Sequence, residues 1–83
     1  MKNKILLEVY LPETGETFEM RVPGNIKVRQ FNERIIDYLK AKAGAYIPDD
    51  DSVICDLISG NPIDPNLYID NAGLENGSRV MVL

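Results

Sequence analysis

The side chains best suited to chemistry in this sequence are one cysteine, Cys55, and three successive carboxylates, Asp49-Asp50-Asp51. A thiol attacks only as its thiolate, which needs a neighbouring base, a cation or a helix N-terminus to form at neutral pH. Cys55 lies mid-strand in the reading below, and the chain has no histidine, the usual general base. Its expected role is packing, as a small buried apolar residue in a reducing compartment. A single cysteine excludes a disulfide framework, and it excludes an iron–sulfur cluster, which needs about four ligands, mostly thiolates. The aspartate run lacks the Asp-x-Asp-x-Asp-Gly spacing of a calcium loop, so it reads as a solvated acidic loop. The residues therefore predict no catalytic group, no metal, no cofactor and no enzyme.

Composition narrows the partners. The 83 residues suit one domain spanning 1–83, with 45% hydrophobic and 27% charged residues. A net charge of −4 disfavours nucleic acid as a partner, because phosphate recognition needs a basic field. The apolar run Ile5-Leu6-Leu7 behind Met1-Lys2-Asn3-Lys4 is broken by Glu8, so no secretory leader is expected. No stretch reaches the roughly 18 apolar residues of a membrane span, so no direct membrane insertion is expected. Asn76-Gly77-Ser78 matches a glycosylation sequon, which is idle without a secretory route.

Periodicity supplies the elements. Ile5, Leu7, Val9 and Leu11 alternate with Leu6, Glu8 and Tyr10, a half-buried strand. Pro12 to Glu16 turns the chain. Thr17 to Val22 alternates again, with Phe18, Met20 and Val22 inward, completing an antiparallel hairpin. Val28, Phe31, Ile35, Tyr38 and Leu39 form the apolar stripe of one long helix. Its N-cap is open between Asn25 and a residue next to Val28, and Gly44 suits its C-terminal end. On the polar side, Arg29 can pair with Glu33 and Asp37 with Arg34 or Lys40. Ser52 to Ile58 is a third strand, with Val53, Cys55 and Leu57 assigned inward and Ile54, Asp56 and Ile58 outward. That choice keeps the Asp56 carboxylate out of the core. Ile63 forms a short strand, Leu67 to Asp70 a helical turn, and Arg79 to Leu83 the last strand, with Val80 and Val82 inward.

A hairpin, one helix and further strands make an α+β roll, since helix and sheet bury their apolar faces only against each other. The first and last strands then lie side by side and parallel in the middle of a mixed four- to five-stranded sheet, the β-grasp arrangement. The outer sheet face gathers Leu6, Tyr10, Ile54, Met81 and Leu83, five apolar residues on one side of a small sheet. Scattered exposed apolar residues are ordinary, but this grouping points to a protein-binding surface. Ile36, off the helix stripe, is a second candidate that can also pack against the loop around Tyr46.

At this point the chain resembles the ubiquitin-like proteins. Gly15-Glu16-Thr17-Phe18-Glu19-Met20-Arg21-Val22 resembles the second half of ubiquitin's first hairpin, and Ile47-Pro48-Asp49 its segment after the helix. Ser59-Gly60-Asn61-Pro62-Ile63 and Leu74 to Val80 resemble the turn and the approach to its last strand. The helix region is longer by roughly two to three turns, at about 3.6 residues per turn. With the closing Gly73 to Leu83, this makes the chain similar to the YukD/EsaB family of bacterial ubiquitin-like proteins. That family implies a cytoplasmic, non-conjugated accessory or regulatory component of the type VII (WXG100) secretion systems of Gram-positive bacteria. It implies a protein partner from the secretion machine and carries no catalytic residues across. The alternative, a sulfur carrier or conjugated modifier, needs a flexible C-terminal Gly-Gly where this sequence has strand residues ending at Leu83. A third possibility is self-association through an exposed strand edge.

Overall fold

The computed structural model describes residues 4–49 and 51–83. Met1 to Asn3 and Asp50 of the acidic run lie outside the described residues. Five elements build the fold: β1 (Lys4–Leu11), β2 (Glu16–Pro23), α1 (Val28–Lys40), β3 (Ile54–Asp56) and β4 (Ser78–Val82). A 3-10 turn at Ile69–Asn71 stands close to the helical turn expected at Leu67 to Asp70.

The sheet order is β2-β1-β4-β3. β1 is antiparallel to β2 and parallel to β4, and β3 is antiparallel to β4. The expected central parallel pair is therefore present. The hairpin closes at Gly15, where φ is +76° and its N–H donates to the Leu11 carbonyl at 2.8 Å. A left-handed conformation there suits glycine, which has no Cβ to clash. The fifth strand shrinks to one bridge between Cys55 and Pro62, followed by an Ile63 N–H bond to the Ile54 carbonyl.

One face of the sheet packs on α1. Leu7, Val9 and Leu11 of β1, Val22 of β2, and Val80 and Val82 of β4 are buried against Val28, Phe31, Ile35 and Leu39. Tyr38, expected in the same stripe, is instead 40% exposed and stacks on Phe18 at 4.7 Å. It flanks the core at the open side of β2, where a phenol can keep its hydroxyl in water.

The helix has 13 residues, an ordinary length, so the extra chain is not helix. It ends at Lys40 with Ala41 as C-cap, and Gly44 (φ +76°) belongs to a later turn. Its N-cap is Lys27, with no side-chain cap. The Gln30 side chain accepts the Lys27 N–H at 2.9 Å. The Val28 and Arg29 N–H groups, orphans of the first turn, donate to the Leu67 and Pro65 carbonyls at 2.9 and 3.0 Å. Arg29 also bonds Asn66 through its guanidinium, a partner in place of the expected Glu33. A distant loop thus caps this helix.

β3 corrects the assignment of its faces. In the ladder Ile54 lies beside Val82 and Cys55 beside Met81. Val82 is in the core, so Ile54 points inward, and it is 2% exposed. Cys55 shares the outer side with Met81 and is buried there, next to the bridge to Pro62. The expectation that Ile54 faces outward rests on the cost of burying Asp56. That cost does not arise, because Asp56 is the last residue of β3 and the chain turns away. Its carboxylate accepts the Ser59 N–H at 2.8 Å, and its carbonyl accepts the Gly60 N–H at 2.8 Å.

Candidate functional site

The outer face of the sheet is ordered in rows by the ladder register. In one row Tyr10 lies between Thr17 and Met81, and Met81 lies beside Cys55. In the next row Glu8 lies between Glu19 and Arg79. Beyond it Leu6 pairs with Arg21. No helix covers this face among the described residues, since α1 packs on the other.

Of the five residues expected here, the structure unites some and separates others. Tyr10 and Met81 are paired, half-buried, and placed on the two central strands. Leu6 shares the face but is separated from them by the Glu8–Arg79 ion pair, with Arg79 Nε at 3.1 Å from Glu8 Oε1. Leu83 follows β4, is 58% exposed, and exchanges two 2.9 Å backbone hydrogen bonds with Val53. Ile54 is absent from the face because it is in the core. The surface is therefore a small apolar centre, Tyr10 and Met81, bordered by an ion pair, with Leu6 and Leu83 as outliers.

This face is held from its end as well. Asn76, seventy residues from Leu6, accepts the Leu6 N–H on its side-chain oxygen at 2.7 Å. Gly77 N–H donates to the Leu6 carbonyl at 2.8 Å. The asparagine of the apparent sequon is thus an anchor that ties the turn before β4 to β1.

Further apolar features lie elsewhere, among them Ile58 and a groove beside α1. Ile58 is 88% exposed at the tip of the turn after β3. The Ser59 N–H, with the Ser59 hydroxyl and the Ile58 N–H, holds the Asp56 carboxyl of that turn below its ordinary pKa against the opposing effect of desolvation. An open groove of about 590 Å³ runs between α1 and the β3 side, lined by Val28, Ile36, Val53 and Ile63 among others. Asn32 lies in it, giving its amide to the Ser52 hydroxyl at 3.0 Å. Ile36, the second candidate of the sequence, therefore lines this groove. Its off-stripe position was the signal. Ile58 is placed outward by the alternation expected over Ser52 to Ile58, and it is exposed, but it stands in a turn apart from the face that the sequence groups.

Among the described residues no group of three His, Cys, Asp or Glu side chains is placed to hold a metal. Asp49 and Asp51 are exposed. No helix among the described residues is long and apolar enough to cross a membrane.

No protein-family model matches the chain, and no curated protein matches it. Solved structures do. The chain is similar to the N-terminal ubiquitin-like domain of the 4931431F19Rik protein, at 24% identity over 100% of this chain and 76% of that one, with a TM-score of 0.75. It is similar to the ubiquitin of Caldiarchaeum subterraneum, at 14% identity over 96% of this chain and 91% of that one, with a TM-score of 0.76. It is also similar to part of a chain of the MycP5-free ESX-5 inner membrane complex, at 15% identity over 98% of this chain and 21% of that one, with a TM-score of 0.71. Identities this low speak for architecture, on which many functions are built. The chain has the ubiquitin-like β-grasp fold.

Proposed function

We propose that this chain is a ubiquitin-like protein-interaction module that receives a protein partner on the outer face of its sheet. The observation that carries the reading is the Tyr10–Met81 pair: two large apolar side chains, half-buried, adjacent on the central strands of the face opposite α1. Aromatic and methionine side chains are favoured in interface centres, where a polar rim excludes water around them. Glu8 and Arg79 supply such a rim on one side. The lack of histidine and the packing role of Cys55 favour binding over catalysis.

The partner we propose is a component of a type VII (WXG100) secretion machine, with this chain as a cytoplasmic accessory or regulatory subunit. Two things support this: the resemblance of the hairpin, loop and closing segments described above, and the fold shared with part of a chain of the ESX-5 inner membrane complex. Net charge and the uncovered apolar centre both favour protein over nucleic acid as partner.

The test is affinity capture from the native cell with three baits: wild type, Met81→Asp and Ile36→Asp. Mass spectrometry should find a secretion component with wild type and Ile36→Asp and lose it with Met81→Asp. Equal recovery by all three baits would refute the surface. Recovery of only unrelated proteins would refute the secretion context.

A further inference from the structure

β2 forms an edge of the sheet, and the direction of its backbone groups follows from β1. The Leu6 N–H and C=O are engaged by Asn76 and Gly77, on the β4 side. Successive residues in a strand point these groups to alternate sides. Leu7, Val9 and Leu11 therefore bond toward β2, where their ladder partners are Met20, Phe18 and Glu16. The groups of Thr17, Glu19 and Arg21 point away from the sheet. Among the described residues no backbone group bonds them.

The charges along this edge are unbalanced within one chain. Glu19 lies directly opposite Glu8, a like charge, and Glu8 is engaged by Arg79. Arg21 lies opposite Leu6. Neither Glu19 nor Arg21 has an ion-pair partner among the described residues.

An anion and a cation two residues apart on an open edge are self-complementary under a two-fold axis. We propose that β2 pairs antiparallel with β2 of a second copy of this chain, with Glu19 opposite Arg21 of that copy and Met20 on the axis. The pairing joins residues that each have a free outward N–H and C=O, so both exchange hydrogen bonds. It extends the charge row to Arg79, Glu8, Glu19 and Arg21 of the second copy, in which Glu19 has a cation on its free side. Sliding the strands by two residues sets Glu19 against Glu19 or Arg21 against Arg21, which like-charge repulsion disfavours. Pro23 lacks an N–H, so the ladder stops there and the dimer is weak and concentration-dependent.

Sedimentation velocity from low micromolar to near-millimolar protein tests this at low and high salt. The average mass of wild type should climb from one chain toward two, at lower concentration in low salt. Glu19→Arg or Arg21→Glu alone should shift the midpoint upward about tenfold, because each change turns two attractive cross-strand pairs repulsive. The double swap should return the midpoint to that of wild type. Circular dichroism confirms that these surface variants fold. A wild type that stays monomeric throughout would overturn the proposal and leave the edge to an extended segment of a different protein. A dimer whose midpoint ignores the single changes, or is not restored by the swap, would also overturn it.

Discussion

The two faces of the sheet carry apolar residues in the same alternation and use them differently. On the inner face Leu7, Val9, Val80 and Val82 are sealed beneath α1, and charge is absent. On the outer face Tyr10 and Met81 share the strands with Glu8, Arg79, Glu19 and Arg21. An apolar side chain on the first face holds the fold together. On the second, Tyr10 and Met81 stand half-buried, with no helix of the described chain packed over them. Burial, and not hydrophobicity, separates the two.

The largest expected effect breaks this comparison at β3. Ile54→Asp should cost on the order of 4 kcal/mol or more, because it places an unpaired carboxylate in the core. Urea unfolding should show a domain that is marginal or unfolded at room temperature. Full stability would mean that Ile54 faces outward after all. Asn76→Ala comes next. It removes the acceptor of the Leu6 N–H and should cost about 1 kcal/mol, read as a lower urea midpoint with an unchanged slope. Met81→Asp, on the same ladder as Ile54, should move stability by less than about 1 kcal/mol. The contrast between these two aspartates, one strand apart, measures the difference between the faces.

A smaller effect concerns pH. The Ser59 N–H lowers the Asp56 pKa in the folded state relative to the unfolded chain. A depressed carboxyl pKa adds stability above the unfolded value, and that stability fades as pH falls through the folded value. Asp56→Ala should therefore melt below wild type at neutral pH. The gap should close in the acid range, beginning near the ordinary aspartate value of about 3.9. A gap constant with pH would mean that the bond does not favour the charged form.

Much of this was legible in the residues, for reasons that also explain what was not. β1 and β4 alternate cleanly because one face of each is sealed and the other wet, so Tyr10 and Met81 could be placed outward from the sequence; β2 alternates too, although Val22 alone of its inward residues is fully buried. β3 misled because only three of its residues pair, and the acidic one is the last, where a strand ends and its face no longer matters. The helix start was illegible because its cap is made of the Pro65 and Leu67 carbonyls, far along the chain. Its end was misplaced because Gly44 turns the chain three residues after the Ala41 cap. The open β2 edge was foreseen only in general. Its register needs the direction of each backbone group, and that depends on what Leu6 bonds.

The central claim is that the outer face, and not the groove beside α1, receives a partner. Methyl NMR tests it with protein labelled at the methionine and isoleucine methyl groups and titrated with the captured partner. The account predicts that the Met81 methyl shifts strongly while those of Ile36 and Ile63, in the groove, stay in place. Shifts at Ile36 and Ile63 with an unmoved Met81 would contradict it.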